Sequence, residues 1–192
     1  MMMMNRPIPI DEAIKLDKYK YIMSRTDAHG RIEYGNDYFY EISGYKSVEL
    51  VGQAHSIIRH PEMPRVIFKL MWDRLKEGKP IFAIVKNLAK DGRYYWVTTR
   101  FDIKRHLLNN SIEGYVAYRQ AAKLESIKRI EPLYHELLEV EHAHGIDAAE
   151  KYLIGYLQTR QMSYDDFIDD VAENSNSMKL FFQAMMKFFT SK

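Results

Sequence analysis

Hydrophobic positions change their period along the chain, and the changes divide it into stretches of different structure. YIMSRT at 21–26 and RIEYGN at 31–36 read as two short strands around a DAHG turn, with Asp27 and Gly30 supplying turn chemistry. DYFYEISGY at 37–45 reads as a short helix stopped by Gly44. SVELVG at 47–52 reads as a single turn with Ser47 as its cap and Gly52 as its stop. Residues 66–77 put Val66, Ile67, Leu70, Met71 and Leu75 at helical spacing, which predicts one buried face. GKP at 78–80 ends that helix. The period then changes. IFAIVKNLA, a Lys90-Asp91-Gly92 turn and RYYWVTTRFDIKR form a long hairpin, LNNS at 108–111 turns again, and IEGYVAYRQ at 112–120 is a fifth strand.

Hairpin-paired strands predict an antiparallel sheet. The fold class expected is therefore α+β: a five-stranded antiparallel sheet flanked by short helices, with an all-α C-terminal extension. That extension is helical throughout. Residues 124–144 form one helix that Pro132 should kink or restart, followed by helices over 147–160, 163–175 and 177–189. The last carries Leu180, Phe181, Phe182, Met185, Met186, Phe188 and Phe189, so it must be buried in its own domain, a dimer interface or a partner. At the other end RPIPI is extended and proline-locked, and DEAIKLDKY at 11–19 is expected to form one or two helical turns with Asp11 as N-cap. The divisions expected are 1–19, 20–121 and 122–192.

Composition narrows the function. Hydrophobic residues are 46% of the 192, enough for a packed core. There is no cysteine, which excludes disulfides, thiolate metal sites, a cysteine nucleophile and a flavin–cysteine photoadduct. No long apolar run or secretory signal is visible, so the expectation is a soluble, cytoplasmic protein that reaches a membrane only through a partner. Residues 1–123 hold 21 Lys and Arg against 14 Asp and Glu, and 124–192 hold 7 against 12. The basic residues of the first part are scattered among acids without a nucleic-acid motif, so the break marks a domain boundary rather than a nucleic-acid surface. No nucleophile–base–orienter set and no phosphate-cradling glycine loop appears, and an enzyme is not expected.

One stretch is dense in ionisable and rigid residues: HSIIRHPEMPR at 55–65, just before the 66–77 helix. On its own it is open to three readings: backbone punctuation, a metal site, or an anion site for a cofactor. A second constellation, His135, Glu139 and His142, falls on one helical face but lacks the HExxH pattern and reads as a solvated polar face. His135 sits in YHELLE, which has the look of a phospho-acceptor site, yet no kinase region follows.

The order of elements and several motifs resemble a PAS domain of the Aer type, the flavin sensors of aerotaxis and energy taxis. The motifs are NDYFYEISGYKSVELVG at 36–52, RHPEMP at 59–64, MW at 71–72, GKP at 78–80, VKNLAKDGRYYWV at 85–97, EGYVAYR at 113–119 and EPLY at 131–134. The resemblance covers residues 20–137. Without an anchor, relay domain or long coiled coil, the chain is most similar to the stand-alone CetB-type members, which act with a membrane-bound methyl-accepting-type signalling protein. The resemblance implies non-covalent FAD, a homodimer, and cofactor-linked positions at Asn36, Arg59, His60, Trp72 and Asn87, with His55 and Glu62 close by. Two positions depart from the family: Ile81 follows Pro80 where an aromatic is common, and Glu62 stands where an aspartate is common.

The chemistry is compatible with that implication. Asn87 offers both a donor and an acceptor to a uracil-like ring edge, Trp72 can wall a flat ring, and Arg59 suits a pyrophosphate, with His60 able to add a donor. Each has a plain structural rival: Trp72 as core, Asn87 as the end of a ladder, Arg59 paired with Glu62, His60 as a cap. Heme b is the rival cofactor, with His55, His60 or His106 as axial ligand. A cofactor-free dimerisation module is the rival function.

Overall fold

The computed structural model describes residues 6–172. The helix expected at 177–189 lies outside the described residues. The sheet has five antiparallel strands: β1 (Ile22–Asp27), β2 (Ile32–Gly35), β3 (Ile81–Leu88), β4 (Tyr94–Arg105) and β5 (Ile112–Ala121). They lie in the order β2-β1-β5-β4-β3, so β3 is an edge strand. Between β2 and β3 come α1 (Asp37–Ser43), α2 (Ser47–Leu50), a 3₁₀ turn at His55–Ile58 and α3 (Arg65–Lys76). After β5 come α4 (Leu124–His144), α5 (Ile146–Thr159) and α6 (Tyr164–Val171).

Local chemistry explains most boundaries. The Asp27 carboxylate accepts from the amides of His29 and Arg31 at 2.8 and 2.9 Å, which closes the β1–β2 turn. Asn36 caps α1 by accepting from the Phe39 amide at 3.1 Å, and Gly44 ends it at φ 72°, a left-handed conformation that suits glycine.

Two local expectations are corrected and a third is narrowed. Residues 11–19 are extended rather than helical, because their backbone is engaged elsewhere. Tyr94 donates to the Glu12 carbonyl and accepts from the Ile14 amide, and the Ile10 amide donates to Gly92. Asp11 is therefore not an N-cap. The cap of α2 is Lys46 rather than Ser47; its amide is taken by the Glu49 carboxylate at 2.8 Å. Finally, α4 runs through Pro132 without restarting. Pro132 lies on the exposed side of the helix, while Leu133, Tyr134 and Leu137 on the other side are buried.

β5 ends at Ala121 and α4 begins at Leu124, and the core continues across this junction. Ile130, Leu133, Tyr134 and Leu137 of α4, Leu153 of α5 and Phe167, Ile168 and Val171 of α6 share one apolar cluster with the sheet. Trp96 of β4 stacks on Tyr134, with ring centroids 6.3 Å apart and planes at 22°. α3 is tied to α4, α5 and α6. Glu141 of α4 accepts from the Arg65 and Val66 amides at 3.0 and 2.6 Å, supplying a cap that Pro64 cannot. Lys69 meets Glu150 of α5, and Arg74 makes a two-pronged bond to Asp165 of α6 at 2.6 and 2.7 Å.

An edge strand exposes unpaired backbone groups, and this protein covers them. The Ile84 carbonyl accepts from the Tyr134 hydroxyl at 2.8 Å. The Lys86 carbonyl accepts from the His60 amide, and the Lys86 amide donates to the Met63 sulfur at 3.2 Å. The 59–64 loop is thus bonded along the β3 edge, and its two prolines keep it extended there.

Candidate cofactor-binding site

Residues of β1, β3, β4 and β5 that alternate onto one face of the sheet look toward α3 and the His55–Ile58 turn. Between them lies a cavity of about 270 Å³. Most of its wall is apolar: Ile58, Phe68, Met71, Trp72, Leu75, Val85, Phe101, Tyr115 and Ala117. Trp72 meets Tyr115 edge to face at 5.2 Å. Gly30, at φ 77°, lets the β1–β2 turn rest on that indole; a Cβ there would stand 3.0 Å from its Cη2.

A small set of polar groups enters this apolar space. Arg119 of β5 is 2% exposed and crosses the cavity floor. It donates to the Ser24 hydroxyl at 3.0 Å, and its other terminal nitrogen lies 2.9 Å from His55 Nε2. Since a guanidinium only donates, His55 must present its lone pair and be neutral. Burial, and then the Arg119 charge, push the His55 pKa down to about 3. Burial also lowers Arg119, to about 10, which leaves it charged at neutral pH. No carboxylate pairs with Arg119 among the described residues. Asn87 of β3 is buried and lines the cavity with its Nδ2 unpartnered. The buried Tyr95 hydroxyl is near it, yet neither atom has a partner at hydrogen-bonding geometry. Thr26 also leaves its hydroxyl unpartnered in the lining. A buried donor left in this state costs about 1–3 kcal/mol, so these atoms are suited to a ligand.

At the mouth stands Arg59, half-buried, its guanidinium 5.1 Å over the Phe68 ring. Burial lowers its pKa first, followed by the charges of Arg6 and Arg65. Arg6 donates to the carbonyls of Ser56 and Arg59 at 2.7 and 3.0 Å, pinning the rim.

Of the positions singled out in the sequence, His55, Arg59, Trp72 and Asn87 converge on this cavity. Asn36 and His60 lie outside its lining. Asn36 is occupied at the strand–helix junction: besides capping α1 it accepts from the Met23 amide and donates to the Tyr21 carbonyl. His60 is buried under the loop, where its Nδ1 accepts from the Glu62 amide at 3.2 Å and its ring meets Tyr94. Burial, and then the Lys86 charge, hold its pKa down near 4. Glu62 pairs with Lys86 at 2.5 Å rather than with Arg59. His106 sits at the β4–β5 turn, outside the lining, where it accepts from the Leu108 amide. His135 pairs with Glu139 at 3.6 Å on an exposed face. Among the described residues no group of three or more His, Cys, Asp or Glu could hold a metal, and no helix is long and apolar enough to cross a membrane.

Ser24, Thr26, Phe68, Tyr115 and Arg119 belong to the cavity and went unnoticed in the sequence. Arg119 had a signal. In EGYVAYRQ it falls two and four residues after Ala117 and Tyr115, in phase with inward positions of the strand, where a charge is costly.

The family model described as PAS fold matches residues 32–118. The aerotaxis receptor of Escherichia coli is 43% identical over 116 residues, 60% of this chain and 22% of the receptor. A nitrogen fixation regulatory protein of Klebsiella pneumoniae is 33% identical over 75 residues, 39% of this chain and 15% of the relative. The chain therefore spans about a fifth of the receptor's length. Among solved structures, the light state of the blue-light photoreceptor Aureochrome1 LOV superposes with a TM-score of 0.50 at 20% identity, covering 58% of this chain and 88% of that one.

Proposed function

Because the chain carries a PAS domain of the aerotaxis-receptor type, we propose that it is a redox sensor that binds FAD non-covalently and signals through protein contacts rather than catalysis. The observation that carries this reading is the unpartnered Asn87 amide facing a mainly apolar slot walled by Trp72. A flat heteroaromatic ring with one polar edge fits such a slot, and the orphaned donor fits the edge. The cavity is large enough for a ring system, not for a whole dinucleotide. The remainder of FAD would pass out by Arg59, whose neighbours Arg6 and Arg65 add positive charge for the diphosphate.

When bound, the flavin supplies a redox state that follows its surroundings. The chain's own residues hold the ring, exclude water and pass on a change in its hydrogen bonds. α3 is placed to relay that change. One of its faces lines the cavity with Phe68, Met71, Trp72 and Leu75, and its N-terminus and polar side bond to α4, α5 and α6. The output in this reading is a homodimer in the cytoplasm that engages a membrane-bound methyl-accepting-type protein.

Heme b fits less well. His55 is the histidine best placed to serve as its axial ligand, and its Nε2 is already committed to Ser24 and a guanidinium 2.9 Å away. The test is the absorbance spectrum of the purified protein, followed by chromatography of what heating releases. FAD is expected, and its yield should fall at least tenfold in Arg59→Ala while the protein stays folded. A heme spectrum, or a colourless protein that takes up no FAD, overturns the proposal.

A further inference from the structure

We infer that Arg119 is the residue by which the cavity tells the two redox states of its ligand apart: its guanidinium favours the reduced, anionic ring over the oxidised, neutral one. The inference rests on the flavin reading, and an imbalance of charge in the protein motivates it. A guanidinium that is 2% exposed is commonly paired with a carboxylate. Arg119 has instead a hydroxyl, Ser24, a neutral imidazole, His55, and the Ala117 carbonyl at 3.5 Å. The Phe39 ring lies 5.9 Å from the guanidinium and stacks on the His55 ring at 6.2 Å. The positive charge is therefore desolvated and uncompensated, beside the space a ligand would fill.

Reduction changes what that charge meets. The ring gains two electrons from an outside reductant and one proton from water, leaving one negative charge on the ring. Because Arg119 is 2% exposed, the attraction between this charge and its guanidinium is only weakly screened. The phosphates do not compete for the role, since they belong to the mouth, by Arg59. Ser24 and His55 act as positioning residues, holding the guanidinium in the cavity lining.

Affinity ratio and midpoint potential report the same quantity, so the test is spectroelectrochemical titration of the flavin-loaded protein with dithionite. Arg119→Gln should lose about tenfold of the preference for reduced flavin, a fall of about 30 mV for a two-electron couple. Arg119→Lys keeps the charge and should keep most of the preference. Flavin-loaded Arg119→Gln with an unchanged potential overturns the inference and leaves the flavin reading standing. A wild-type protein that takes up no flavin overturns the reading itself. Should Arg119→Gln not retain flavin, Arg119→Lys decides: a potential held near wild type supports the role of charge, and one that falls by the full amount overturns it.

Discussion

The two faces of β3 solve opposite problems with similar residues. Outward, toward the loop and the C-terminal helices, the polar groups of Ile84 and Lys86 are satisfied within the protein. Ile84 bonds to Tyr134, the Lys86 backbone bonds to His60 and Met63, and the Lys86 ammonium bonds to Glu62 and lies 4.2 Å over the Tyr94 ring. Inward, Val85 and Asn87 face a cavity in which an amide, a hydroxyl and a buried cation lack full partners. The contrast separates structural polarity from functional polarity. On β3, groups with partners in the chain fix the sheet edge, and the Asn87 amide without one faces the cavity. Two histidines five residues apart make the same point. His60 holds the edge, and His55 holds Arg119.

The largest effect comes from breaking the satisfied face. Ile84 is fully buried, and Ile84→Ala should lower unfolding free energy by about 2–5 kcal/mol. Urea denaturation should show the same loss with and without excess FAD, because the residue faces away from the cavity. A loss that FAD fully rescues would erase the distinction between the faces. Acid should act next. Both histidines ionise ordinarily near 6.5, but in the folded protein His55 is held to about 3 and His60 to about 4. Between those values and 6.5 the unfolded chain takes up protons that the native protein refuses, so stability falls as pH drops through this window. Above 6.5 neither state is charged and the effect vanishes. Allowing for partial solvent access, the two together should cost about 2 kcal/mol between pH 7 and pH 4.5. His60→Gln should flatten part of that slope in urea midpoints measured across the range. An unchanged slope would mean that His60 is not held neutral by the edge.

How much of this was legible in the sequence follows the same division. The strands and α1 to α3 could be read because alternation and turn chemistry are local: Asp27, Gly44 and the Lys90-Asp91-Gly92 turn act on neighbours. The error at 11–19 arose because the partner of that segment, Tyr94, is remote in sequence, and a short amphipathic run cannot reveal a backbone pairing. In the site, Trp72, Asn87 and Arg59 could be picked out because they sit in recognisable motifs. Arg119 had only its inward strand phase as a signal, since its meaning depends on Ser24 and His55 being brought to it from 95 and 64 residues away. His60 was grouped with Arg59 through the family resemblance, but the extended loop turns successive residues to different sides. Arg59 reaches the cavity and His60 turns to the edge.

The smallest effect on stability should come from the residue most exposed to loss of function. Asn87→Ala removes a buried amide whose nitrogen has no partner, so the desolvation cost of that donor disappears along with some packing. The two changes oppose each other, and the ligand-free protein should unfold within about 1 kcal/mol of wild type. Flavin affinity should nevertheless fall about tenfold or more, because the donor at the ring edge is gone. Paired denaturation and FAD titration of this one variant measure both. If Asn87→Ala destabilises the ligand-free protein as severely as Ile84→Ala while binding FAD normally, Asn87 belongs with the structural groups and the inner face of β3 is not a binding surface.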